Sequence, residues 1–68
     1  MTADGQTTVR VGELGVAETP LRPAGKARVG EEYVDVVTDG SFVNKGSRIR
    51  VVDIQGNRII VCEMPELG

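Results

Sequence analysis

The chain has no histidine, no tryptophan and a single cysteine, Cys62, among its 68 residues. One cysteine excludes an intramolecular disulfide, and without histidine or a Cys/His cluster a structural zinc site is excluded too. No cofactor and no metal are expected. The longest apolar run, Ile59 to Cys62, falls far short of the ~20 residues a bilayer span needs. No charged segment followed by an apolar stretch opens the chain, so no signal peptide is expected. As given, the fragment reads as soluble, and its lone cysteine leans weakly toward a reducing compartment. Strong positive charge is lacking as well. Eight basic residues against ten acidic ones leave a formal charge of −2, a poor balance for binding a polyanion, so nucleic acid is not an expected partner.

What remains is enough for one small domain. A chain this short buries only roughly 60% of the surface its unfolded form exposes, so its apolar residues must do the folding work. Valine and isoleucine far outnumber leucine, and nine glycines and three prolines punctuate the chain. β-branched residues suit a pleated, half-buried surface, and frequent turn residues keep strands short. The expected class is all-β.

Residues 1–7 are small and polar and read as a flexible N-terminal segment. Thr8–Val11 alternates and reads as a first strand with Val9 and Val11 on one face. Pro20 and Pro23 then fix two φ angles and remove two donors, so no central strand crosses this stretch. Leu21, the large apolar residue between them, is expected to plug the barrel. Lys26–Val29 and Tyr33–Thr38 form a hairpin with Ala27, Val29, Val34 and Val36 inward. Ser41–Gly46 has room for one helical turn, Ser41 as its N-cap and Gly46 as its left-handed stop. In Arg48–Ile54 the alternation slips between Val51 and Val52, which predicts a β-bulge. Gln55–Arg58 is a tight turn before Ile59–Glu63, and residues 65–68 form a tail. Five strands with a short connection after the third fit a five-stranded, partly open Greek-key barrel of the OB type over residues 8–64.

The residues Gly15, Ala17, Thr19, Leu21, Pro23 and Gly25 form a Gly-x-Ala-x-Thr-x-Leu-x-Pro-x-Gly pattern. It resembles the start of the C-terminal soluble domain of NfeD-like membrane proteins, and Tyr33–Val37 and Phe42–Val52 are similar to later stretches of that domain. The resemblance implies an OB-fold barrel carried by a parent chain with transmembrane helices. It implies a soluble domain on the cytoplasmic side, tethered to the membrane only through the parent. Long relatives add a ClpP-class serine protease domain, and stomatin-like (SPFH) membrane proteins are the implied partners.

Candidate chemistry is thin. Lys45 and Ser47 are two residues apart, but a Ser–Lys dyad also needs an oxyanion hole and a desolvated lysine. Glu31 and Glu32 are neighbours in a turn and splay apart. Cys62 sits in an apolar strand, where cysteine behaves as a small hydrophobe. Lys26, Arg28, Arg48 and Arg50 alternate on two strands and form a basic stripe that acids on neighbouring strands are expected to neutralise. Tyr33 and Phe42 are the only aromatics, and Phe42 is expected to pack inward, which leaves little for base stacking. A biotinyl or lipoyl carrier barrel is a further alternative, echoed by Val43–Ile49. Carriers place their lysine at a hairpin tip, however, and the tight turns here hold none. The expected function is a non-catalytic protein–protein interaction or scaffolding domain. Leu21, Arg22 and Pro23, on a loop stiffened by prolines, are the expected contact, because a rigid loop loses little entropy on binding.

Overall fold

In the computed structural model residues 9–64 are described; the expectations for residues 1–7, Thr8 and 65–68 lie outside them. Five strands and no helix occur among these residues: β1 Leu14–Ala17, β2 Ala24–Val29, β3 Glu32–Val37, β4 Arg48–Gln55 and β5 Arg58–Glu63. They close into a barrel in the order β1-β2-β3-β5-β4, with β4 returning to β1. The barrel is closed rather than partly open. Its neighbours are antiparallel except β3 and β5, which run parallel through Val36↔Ile59 and Val37↔Ile60.

Period-two patterning explains the wall. Ala27 and Val29 of β2, Val36 of β3, Ile49 and Val51 of β4, and Ile59 and Val61 of β5 are buried, while their chain neighbours face out. In β4 the alternation breaks where the sequence predicts. Val51 pairs with Val61 and Asp53 with Ile60, leaving Val52 as the extra residue of a bulge. That extra residue turns Ile54 back against the core, so the longest strand keeps one buried face around its bend.

The first strand differs from the expectation. The ladder starts at Leu14, because the chain turns at Val11–Gly12 and Gly12 takes a φ of +97°. Val9 is buried while Val11 is 59% exposed, so the two do not share a face. The alternation is present in the sequence but is cut by a turn. β1 itself reads poorly as a strand because its inward positions are the small Gly15 and Ala17. Gly15 must be small: a Cβ there would lie 2.5 Å from the Arg28 carbonyl oxygen.

The segment between β3 and β4 contains no helical turn. Val43 bridges to Leu21 instead, its N–H donating to the Leu21 carbonyl at 3.1 Å and the Leu21 N–H donating to the Val43 carbonyl at 2.8 Å. A mutual pair of backbone bonds here outweighs one weakly capped turn, since a short isolated helix is marginal in water. Ser41 does not cap a helix; its carbonyl accepts from the Thr38 hydroxyl at 2.6 Å. Gly46 does adopt a positive φ, +88°, and its N–H donates to the Ala17 carbonyl at 2.7 Å.

Candidate functional site

The alternating motif of residues 15–25 runs from β1 through the β1–β2 connection into the start of β2, and its residues are used by the barrel. Ala17 is buried. The Thr19 hydroxyl accepts the Lys26 N–H at 3.0 Å and donates to the Pro20 carbonyl at 3.2 Å, tying the loop to the start of β2. Leu21 is 0% exposed, inside the core. The Pro23 carbonyl accepts the Thr38 N–H at 2.9 Å. A Cβ on Gly25 would lie 2.6 Å from both the Thr19 hydroxyl and the Leu21 side chain. The motif therefore folds one loop over the end of the barrel, and each member is accounted for by packing or hydrogen bonding.

Of the expected contact trio, only Arg22 and Pro23 reach the surface. Leu21 has no side-chain surface to offer, because the barrel interior takes it up. Phe42 is 72% exposed, not packed inward as the sequence suggests for a large aromatic. The Leu21↔Val43 bridge is antiparallel, so the residues one step outward, Arg22 and Phe42, stand opposite each other. Pro20, Arg22, Pro23 and Phe42 thus share one end of the barrel, all exposed. Aromatic and arginine side chains are the residues that most often anchor protein interfaces. Sequence reasoning missed Phe42 because nothing in Ser41–Phe42–Val43 says which of two neighbouring apolar residues goes inside.

The other candidate residues lie apart from this rim. Lys45 is exposed in the β3–β4 connection beside a half-buried Ser47, whose N–H is bonded to the Asn44 carbonyl. Glu31 is exposed at the β2–β3 turn and Glu32 begins β3, so their side chains diverge. Cys62 is half-buried and lies opposite Arg50 on the outer wall. The two hairpin turns, Gly30–Glu31 and Gly56–Asn57, carry no lysine, while Lys45 lies in the Lys45–Gly46 turn of the β3–β4 connection. A groove of about 460 Å³ runs along β2, β3 and the start of β5, lined by Lys26, Asp35, Val37 and Arg58 among others. Lys26 and Asp35, cross-strand neighbours in its lining, pair at 2.7 Å. Among the described residues no group of three or more His, Cys, Asp or Glu is placed to hold a metal ion, and no helix is long and apolar enough to cross a membrane.

Comparison with known proteins gives this barrel its relatives. The family model for the NfeD-like C-terminal, partner-binding domain matches residues 8–62. The chain belongs to this NfeD-like family. Among curated proteins it is 41% identical over 54 residues to the membrane protein NfeD1b of Bacillus subtilis, covering 79% of this chain but 12% of that relative. Among solved structures it is similar to the C-terminal domain of a stomatin operon partner protein from Pyrococcus horikoshii. There the identity is 26%, the TM-score 0.78, and the match covers 88% of this chain and all of the other. It also shares its fold with the soluble domain of a membrane protein implicated in regulation of membrane protease activity from Corynebacterium glutamicum. That match has 22% identity and a TM-score of 0.70 over 76% of this chain and 87% of the other. The NfeD-like domain is thus an all-β barrel whose family is defined by partner binding.

Proposed function

We propose that this NfeD-like domain is a non-catalytic docking module that couples a membrane-tethered parent protein to a protein partner through the barrel end formed by Arg22, Pro23 and Phe42. The observation that carries the reading is Phe42, an aromatic side chain 72% exposed on a rigid rim. Exposing it costs hydrophobic free energy that burial in a partner would recover. The rim is stiff because Pro20 and Pro23 fix φ and the Leu21↔Val43 bridge holds the two loops together. Stiffness lowers the entropy lost on association. The family's partner-binding character supports a protein ligand. The relative from a stomatin operon supports a stomatin-like (SPFH) membrane protein as that ligand, and the relative implicated in membrane protease regulation supports a ClpP-class membrane serine protease as its associate. The domain then faces the cytoplasm, and the parent chain supplies the membrane segment.

The test is a titration of the isotope-labelled chain with the soluble region of a stomatin-like protein, followed by amide shifts. Shifts are expected to cluster on residues 20–23 and 38–44, and Phe42→Ala should abolish them while leaving the melting temperature in place. Shifts confined to another flank, or binding that survives Phe42→Ala, would reject this surface.

A further inference from the structure

The outer wall over β1, β2 and β4 carries a second surface, separate from the rim. Strand register places Arg28, Val16 and Arg48 side by side across β2, β1 and β4, because Val16 pairs with both arginines. One step along, Leu14 pairs with Arg50, and Arg50 with Cys62. Directly opposed residues share a face, so three guanidinium groups stand on one wall interleaved with aliphatic side chains. The basic stripe expected to be neutralised by neighbouring acids is neutralised only in part. Lys26 is paired with Asp35 at 2.7 Å, and Arg28 approaches Glu18 at 4.0 Å. Arg48 and Arg50 form no ion pair with any described residue. Around them the wall exposes Leu14 at 55%, together with Val11 and Val52.

We infer that this wall lies against an anionic lipid surface, the arginines on headgroup phosphates and Leu14, Val11 and Val52 at the acyl boundary. Charge complementarity argues for a negative ligand, since free guanidinium groups are matched bidentately by phosphate. Shape argues for a bilayer over a chain. The wall is the convex outside of a closed barrel, β1 and β4 are paired on both sides, and no strand edge is open there to an added peptide. The groove lies on the other flank, along β2, β3 and β5. Single-stranded nucleic acid needs a stacking platform, and Tyr33, opposite Arg28, is the sole aromatic at the margin of this wall. Aliphatic residues beside arginines whose stems snorkel are the composition of an interfacial face. A bilayer is also within reach of this family, since NfeD1b is a membrane protein.

The inference does not rest on the partner-binding reading, and a vesicle experiment separates them. The purified 68-residue chain is sedimented with phosphatidylcholine vesicles with and without phosphatidylglycerol, at low and at physiological salt. Binding is expected with the anionic vesicles alone, weakening as salt rises. Each arginine near an anionic surface is worth about fivefold in partitioning, so Arg48→Gln with Arg50→Gln should lose on the order of twentyfold. The charge-matched control, Lys26→Gln with Lys45→Gln, should lose far less, and Leu14→Ser should weaken binding without altering salt dependence. Phe42→Ala should bind vesicles as the parent does. Thermal melts of every variant show that the fold is kept; if the arginine double variant melts, Arg50→Lys replaces it, expected to weaken binding by severalfold with the charge unchanged. Equal binding to neutral vesicles, no binding to anionic ones, or loss matched by the lysine control overturns the inference. So does arginine-dependent binding to an oligonucleotide or to polyglutamate with vesicles ignored.

Discussion

Leu21 and Phe42 are the two residues whose roles separate most cleanly, and they sit one step apart across the same bridge. Leu21 is wholly inside, so Leu21→Ala removes a core side chain at a cost of about 2–5 kcal/mol. At roughly 4–8 °C per kcal/mol for a domain of this size, the thermal unfolding midpoint should fall by ten degrees or more, read by circular dichroism. Arg22→Ala in the same loop should move it little, since exposed residues away from special features shift stability by within about 0.5 kcal/mol. Gly25 offers a sharper test of packing. Its missing Cβ would meet the Thr19 hydroxyl, the Leu21 side chain and the Pro20 carbonyl, all within 2.7 Å. Two of these contacts belong to a buried or tethered segment, so Gly25→Ala should cost about 1–3 kcal/mol through forced shifts, measured by urea denaturation. By contrast, the Lys26–Asp35 pair is exposed on both sides, and Asp35→Asn should change stability by less than about 1 kcal/mol.

At the scale of elements, three of the five strands could be read directly. In β2 and β3 the expected inward residues Ala27, Val29 and Val36 are buried and Val34 packs against the core, while β5 is marked by its apolar run after a tight turn and not by alternation. The bulge in β4 was legible because a closed barrel must keep Ile49, Val51 and Ile54 inside despite their changed spacing. β1 was not legible. A strand with Gly15 and Ala17 inward has no hydrophobic signature, since close backbone approach there requires small residues, and Thr8–Val11 mimics one just upstream. The same limit hid the exposure of Phe42. Pro20 and Pro23 announce a rigid loop, but only tertiary contact with Val43 decides that Leu21 goes in and Phe42 stays out. The bulge yields a prediction of its own. Deleting Val52 removes the unpaired residue of the bulge, leaving Asp53 outward and Ile54 inward in continuous alternation, so β4 loses its bend without changing faces. Such a variant should keep native amide dispersion but melt lower, because the barrel loses the bend that the extra residue gives its longest strand.

For the whole molecule, the interior of the barrel is lined by one cluster of buried apolar side chains. The reading as a binding module predicts that the purified chain hydrolyses neither peptides nor simple esters; turnover that survives chromatography with the chain and vanishes on Ser47→Ala would overturn it. The family motif, every second residue from Gly15 to Gly25, builds the loop that caps the barrel, so its spacing reports the fold more than the partner. That is why the family was recognisable from sequence while the side chains exposed on the rim were not.

The parallel seam between β3 and β5 is held by two residue pairs, whereas β2 and β3 share six and β4 and β5 share six. The two pairs join segments separated by the whole β3–β4 connection and all of β4, so the chain-closure entropy is large and the reward small. Two hairpins can therefore persist when the seam parts. Deuterium uptake should report this as a ranking: amides across β3–β5 exchange first, those inside the β2–β3 and β4–β5 hairpins last. Each excursion briefly bares two unpaired strand margins, and bared margins invite pairing with a neighbouring copy. In an assembly that holds many copies close together, the lifetime of that breach, more than overall stability, would set how long the domains stay distinct.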